Sequence, residues 1–288
     1  MKKLLAFLFL LISVSSFAQT VKVVIPFPPG GGTDTAFKHY QKYVGEKHNI
    51  TLVPVYKPGA DSLIGLTELA ESPNDGSVIG IATIAGLATH RLKNPDYQFD
   101  YISLLGKTTM AVVASTNSGL RTLTDLEKEI KNNPTRKNYG YGAPAQKVAL
   151  VQLFTSNNTT VPTLVPYKGA APLINDLLGG HIDVAVLPLS TVKSQIDSGK
   201  LTLIASTSKQ YGTYLKQRYT HWESHEGFVL TLPKNSDRIA VQRWVDITKG
   251  YLSDNDTEKY WADKFLEGSS FGASFVKADV DSAMKQSN

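Results

Sequence analysis

Residues 21–34, VKVVIPFPPGGGTD, decide how the chain is read. Val21 to Phe27 is a short β-branched apolar run, and Pro28, Pro29 and the glycines 30–32 stop it sharply. Thr33 and Asp34 then offer helix caps ahead of Ala36, Phe37, Tyr40 and Val44, which recur at helical spacing. Strand, glycine turn and helix make the first half of a βαβ unit. Three glycines strip the turn of Cβ atoms, so its backbone N–H groups can approach a ligand, and the helix dipole adds positive potential at the same place. An anion site and an ordinary tight βα turn both fit this spacing. Nucleotide loops do not, because no Gly-Lys-Ser/Thr follows and no third glycine completes a dinucleotide fingerprint.

Downstream the alternation continues. Strands are expected at 50–56, 78–83, 110–115, 138–141, 163–166, 182–187, 201–206 and 227–232. Helices are expected at 62–70, 124–131, 146–154, 171–178, 192–198, 239–252 and 257–266. Short Gly/Pro turns between them predict mainly parallel sheets covered on both faces. The expected organisation is two α/β lobes, one from 20–118 plus 226–288 and an inserted one from 119–225. Residues 119–225 carry 12 basic and 7 acidic side chains, a local excess of +5 that suits an anion-attracting lobe or a merely solvated surface.

The 288-residue chain has no cysteine, which excludes disulfides, thiolate metal sites, cysteine nucleophiles and a cysteine-linked lipid anchor. A formal charge of +5 without a basic run argues against nucleic acid. Met1 to Ala18 reads as a secretory signal peptide: Lys2 and Lys3, an apolar run Leu4–Ile12, then Ser16-Phe17-Ala18 with small residues at −3 and −1 of a cleavage site. That run is far short of the ~20 residues a bilayer span needs. Cleavage after Ala18 predicts an exported, periplasmic protein that diffuses freely.

A catalytic set is hard to assemble. There is no GxSxG nucleophile elbow. His221 and His225 stand four apart but lack a HExxH arrangement and an obvious third ligand, so no metal site is expected. Asp183 is a candidate active-site carboxylate, with a capping role as its plainer alternative. Tyr40 and Tyr43 read as packing. Gly142, Ala143, Pro144, Ala145 and Gln146 form a second small-residue loop between a strand and a helix, which suggests two helix N-termini facing each other across a cleft.

Residues 25–34 resemble the P-F-x-x-G-G-x-x-D opening of the Bug family, periplasmic receptors of tripartite tricarboxylate transporters. Lys57-Pro58-Gly59-Ala60 is similar to that family's N-x-P-G-A turn, and Pro73-Asn74-Asp75-Gly76 to its P-D-G turn. Residues 165–172, VPYKGAAP, and 176–183, DLLGGHID, resemble V-P-Y-K-G followed by D-L-L-x-G-x-x-D; residues 198–208 resemble a further segment. Tyr56, Ser62 and Val148 depart from the family's Asn, Gly and His, and 209–225 does not follow its pattern.

The resemblance implies a type II periplasmic-binding-protein fold closing around a small organic anion. It implies ligand-binding positions at Phe27, Pro28, Pro29, Gly30, Gly31, Gly32, Thr33 and Asp34 on the first loop. Facing loops would add Thr83, Ala85, Gly142, Ala143, Ala145, Gln146, Tyr167, Gly169, Asp183 and Leu187. The expected protein is a monomeric receptor, not an enzyme, without metal or cofactor, handing its solute to membrane transporter subunits. The rival expectations are a periplasmic hydrolase using Asp183 and a histidine, or a receptor domain serving a sensor kinase.

Overall fold

The computed structural model describes residues 19–209, 211–219, 226–263, 266–267 and 272–287; Met1–Ala18, the stretch expected to be a signal peptide, and the His221/His225 pair lie outside them. The first part of the chain runs β1 (Gln19–Ile25), α1 (Gly32–His48), β2 (Ile50–Tyr56), α2 (Leu63–Ala70), β3 (Val78–Thr83), α3 (Ile84–Lys93) and β4 (Phe99–Thr108). After Thr109 follow β5 (Met110–Ser115), α4 (Leu123–Asn132), β6 (Tyr139–Tyr141), α5 (Pro144–Thr155), β7 (Val165–Pro166) and α6 (Ala170–Gly179). Then come β8 (Val184–Pro188), α7 (Leu189–Asp197), β9 (Leu201–Ser206) and α8 (Leu215–Arg218). The chain returns through β10 (Glu226–Pro233), α9 (Arg238–Leu252), α10 (Asn255–Asp263), β11 (Leu266–Glu267) and α11 (Ala273–Ser287).

Two sheets result, ordered β2-β1-β3-β10-β4-β11 and β7-β6-β8-β5-β9. Helices cover both faces of each, because the inner strands are apolar on both sides. In the first lobe Phe37, Tyr40 and Val44 of α1 pack with Ile25, Leu52, Trp244 and Tyr251 on one face. Leu66, Leu69, Leu87 and Val276 from α2, α3 and α11 cover the other. In the second lobe α4 and α5 bring Leu126, Leu150 and Phe154 to one face, and α6 and α7 bring Leu173, Leu177 and Val192 to the other.

The two lobes repeat one unit. β1-α1-β2-α2-β3-α3 and β6-α5-β7-α6-β8-α7 have the same succession and the same spatial order, with the first strand between the second and third. Adjacent strands β1 and β3 therefore send α1 and α3 to opposite faces, as β6 and β8 do with α5 and α7. A crevice opens at the carboxyl ends of each strand pair, where open α/β sheets bind ligands.

Three expectations change. Each sheet is mixed rather than mainly parallel: β10 runs antiparallel to β3 and β4, and β5 antiparallel to β8 and β9. The cause is the crossing between lobes. A strand entering a lobe from the cleft must run against strands whose carboxyl ends point at the cleft. Second, β5 pairs with β8 and β9, so the chain crosses at Thr109, ahead of the expected 118/119 junction. Third, the helix expected through 266 ends at Asp263, and Leu266 pairs with Thr108 on the edge of the first sheet. α3, β4, α8, β11 and α11 were not legible as elements in the sequence.

Candidate functional site

α3 begins at the end of β3 with a side-chain cap from Thr83. α4 and α9, away from the crevices, are capped by Thr122, which accepts from Asp125 N, and by Asp237, which accepts from Ile239 N and Ala240 N. α1, α2, α5, α6 and α7 have no side-chain cap at Gly31, Ser62, Ala143, Gly169 and Pro188. All five begin at the carboxyl ends of strands. The first N–H groups of a helix have no acceptor in a preceding turn, and the dipole makes each start positive. Here Leu63 N of α2, Gln146 N of α5 and Leu189 N of α7 already donate to the carbonyls of Ala60, Ala143 and Thr109.

Two matched hydrogen bonds shape the loops ahead of α1 and α5. Gly30 N donates to Asp34 Oδ2 at 2.8 Å, and Gly142 N donates to Gln146 Oε1 at 2.7 Å, each spanning four residues. Asp34 also accepts from the Tyr56 hydroxyl at 2.7 Å and pairs with Lys38 at 2.8 Å. Burial by itself would raise the Asp34 pKa, but Lys38, the Gly30 N–H and Tyr56 together hold it below the ordinary carboxyl value. Asp34 and Gln146 are both buried, and their acceptors are engaged by their own lobes. They fix the loops.

The facing loops meet closely. A Cβ on Gly169 would stand 2.5 Å from the Pro28 ring, and one on Gly32 would stand 2.9 Å from Phe228 and 3.4 Å from Pro188. Glycine is required at 169 twice over, since its φ is +121°. Gly30 faces Ala171 at 3.8 Å from its Cβ position, and Ala143 packs in one cluster with Phe27 and Phe228. α3 lies against α5. The first loop thus touches the starts of α6 and α7 across the interlobe boundary.

The expected residues divide accordingly. Phe27, Gly31, Gly32, Thr33, Gly142, Ala143, Ala145 and Gly169 are buried around the facing loops, while Pro28, Pro29, Gly30 and Ala85 are more open. Thr83 caps α3, its Oγ1 accepting from Gly86 N at 3.1 Å. Tyr167 donates its hydroxyl to Asp176 at 2.5 Å, and burial, aided by this bond and the Asp176 charge, pushes its pKa up to about 12.

Two residues fall elsewhere. Asp183 precedes β8, whose five residues carry the chain about 16 Å toward the cleft. Its carboxylate pairs with Lys137 at 3.3 Å and accepts from Asn138 N at 2.9 Å, the capping role. Leu187 is core, packed with Leu173 and Leu177, and the neighbouring Pro188 is the residue that reaches Gly32. Ser62, Gly86 and Pro188 lie at these loops without having been expected there. Only Ser62 carried a sequence signal, as a serine where the resembling family has glycine.

Among the described residues no group of three His, Asp or Glu side chains is placed to hold a metal, and no helix is long and apolar enough to cross a membrane. Two surface grooves of about 660 and 650 Å³ flank α9 and include none of the loop residues above.

Residues 37–236 match the family described as tripartite tricarboxylate transporter family receptor, TctC. The chain belongs to the TctC receptor family. This is a family of binding proteins rather than enzymes, and Bug proteins share its fold. The TctC-family chain is similar to the periplasmic binding protein BugD, with 24% identity and a TM-score of 0.82 over 93% of this chain and 95% of BugD. It is similar to Rpa4515 of R. palustris, solved with adipate, at 18% identity and a TM-score of 0.84 over 93% and 94% of the two chains. MatC from Rhodopseudomonas palustris, with bound malate, gives 17% identity and a TM-score of 0.82 over 94% and 99%. These likenesses establish the type II periplasmic-binding-protein fold.

Proposed function

We propose that this TctC-family receptor binds a small organic carboxylate between its two lobes and hands it to the membrane subunits of a tripartite transporter. The observation that carries this reading is the convergence of five uncapped helix starts on the facing crevices, in loops built from small residues. Such donors hold an anion without a cationic side chain and without fixing its chemistry beyond the carboxylate. The carboxylates bound by Rpa4515 and MatC support a dicarboxylate as the solute class.

The ligand would rest on Gly31 to Thr33 in the first lobe and on the starts of α5, α6 and α7 in the second. Closure would press the Pro28 loop onto Gly169. The Met1–Ala18 segment supports export to the periplasm with cleavage after Ala18. The work of the protein would then be done as a diffusing monomer.

A thermal-shift screen of purified protein against mono-, di- and tricarboxylates tests the reading. A ligand that binds only the folded state at a hundredfold excess over its Kd stabilises it by about 2.7 kcal/mol. Failure of every carboxylate to raise the Tm, with the protein shown free of carried-over solute, would overturn it.

A further inference from the structure

Ser62 and Gly169 hold the same place in the repeated unit, each preceding the second helix of its lobe. Both have positive φ, +76° at Ser62 and +121° at Gly169. Glycine suits that region and serine does not. Ala60 and Asp61, at +47° and +54°, lead into Ser62, so three successive non-glycine residues stand in left-handed conformation. Backbone of this kind persists where the surroundings hold it, and it concentrates at binding sites.

The Ser62 side chain does not cap its own helix. It turns to the first turn of α3, where its Oγ lies 2.8 Å from the Cβ position of Gly86, beside Thr83 Oγ1 at 3.0 Å. Thr83 is occupied by Gly86 N, which leaves the N–H groups of Ile84 and Ala85 at the start of a ten-residue helix. Ser62 is 2% exposed, and its Oγ has no hydrogen-bond partner. By contrast, the Tyr56 and Tyr167 hydroxyls are engaged, with Asp34 and Asp176. A buried hydroxyl left unpaired is costly, and an incoming acceptor removes that cost.

We infer that Ser62 Oγ and the first turn of α3 receive the second carboxylate of a dicarboxylate whose first carboxylate lies on the α1 loop. Ser62 is then the side chain by which the cleft separates dicarboxylates from monocarboxylates. The inference rests on the carboxylate reading above. It assigns the preference to a residue for which the equivalent unit of the second lobe has glycine.

The test is calorimetric titration of the wild type, S62A and S62G with succinate, glutarate and adipate, each beside its chain-matched monocarboxylate, butyrate, valerate or hexanoate. Thermal melts confirm that each variant is folded. The wild type should prefer the dicarboxylate of at least one pair, and both variants should lose about tenfold or more of that preference. S62G separates the hydroxyl from the backbone, because glycine is at ease at this φ. A preference retained in both variants, or retained in S62G and lost only in S62A, overturns the assignment. Wild type that binds monocarboxylates as tightly as their partners also overturns it, while leaving the carboxylate reading standing. Wild type that binds none of the six overturns both.

Discussion

Gly30 donates its backbone N–H to the carboxylate of Asp34 at 2.8 Å, and this one bond ties the glycine turn to the first turn of the helix it opens. The second lobe makes the same connection with a neutral side chain, from Gly142 to Gln146. The two lobes therefore use one mechanical solution with different charge. In the first, Lys38 and Tyr56 offset the carboxylate, so a buried negative group can stand beside a loop proposed to bind anions.

Replacing Asp34 should loosen that loop. Asp34→Asn keeps the shape but removes the charge and offers only one oxygen to the partners of two, so carboxylate affinity should fall about tenfold. The acid side of the stability curve should change as well. Asp34 has a folded pKa below its ordinary 3.8, so its contribution is present above that value and lost as pH falls through the folded pKa. Melting curves between pH 2 and 6 should show a shallower acid loss in Asp34→Asn than in the wild type.

Gly31→Asp should separate stability from binding. Gly31 is the N-cap of α1 with extended backbone, φ −88°, and a Cβ there meets nothing closer than Pro28 O at 3.9 Å. Aspartate is a favoured N-cap, worth a few tenths of a kcal/mol over glycine, so the Tm should hold or rise. The same carboxylate occupies the N–H groups meant for the ligand. Affinity should drop at least about thirtyfold, the loss of roughly 2 kcal/mol at a helix terminus. Unchanged calorimetric binding would move the anion away from α1.

Gly169→Ala tests closure. The methyl would stand 2.5 Å from the Pro28 ring, at a φ of +121° that an alanine rarely adopts. Strain of roughly 1–3 kcal/mol should lower the Tm, and ligand affinity should fall because the loops no longer meet. Small-angle scattering should record less compaction on ligand addition than in the wild type.

Glu226→Gln should flatten a pH dependence near neutrality. Glu226 opens β10 opposite Thr108, is 4% exposed, and burial raises its pKa to about 7. The folded chain therefore keeps a proton that the unfolded chain releases near 4.5, and stability declines as pH rises from about 4.5 through 7. The variant should lose this decline and melt several degrees above the wild type at pH 8, as read by calorimetry from pH 5 to 8.

Much of the fold was legible because it rests on local signals. Strands 50–56, 78–83, 110–115 and 201–206 appear with the expected limits, being apolar runs rich in β-branched residues. β4 was missed because Phe99–Thr108 mixes Asp, Tyr, Ser and Lys with its apolar residues and gains its place from pairing with β10. α3 was missed because it starts directly at the end of β3 without a turn residue between them, Thr83 serving as both last strand residue and cap. In the proposed site the glycine turn and the Gly142 loop could be read, since their composition is itself the signal. Asp183 precedes β8 and Leu187 lies in the core, placements the motif could not give because it marks the strand and not which end or face of it meets the cleft.

The sequence by itself determined the α/β class, the family resemblance and the two small-residue loops. All three rest on periodicity and local backbone freedom, which a neighbouring stretch of chain suffices to define. Tertiary structure alone decided that the sheets are mixed, that Asp183 caps a distant turn, and that Ser62 lies unpaired against α3. It also decided which helices go uncapped. Those facts depend on strand direction after each lobe crossing and on contacts between residues far apart in the chain, and packing fixes them only once both sheets are assembled.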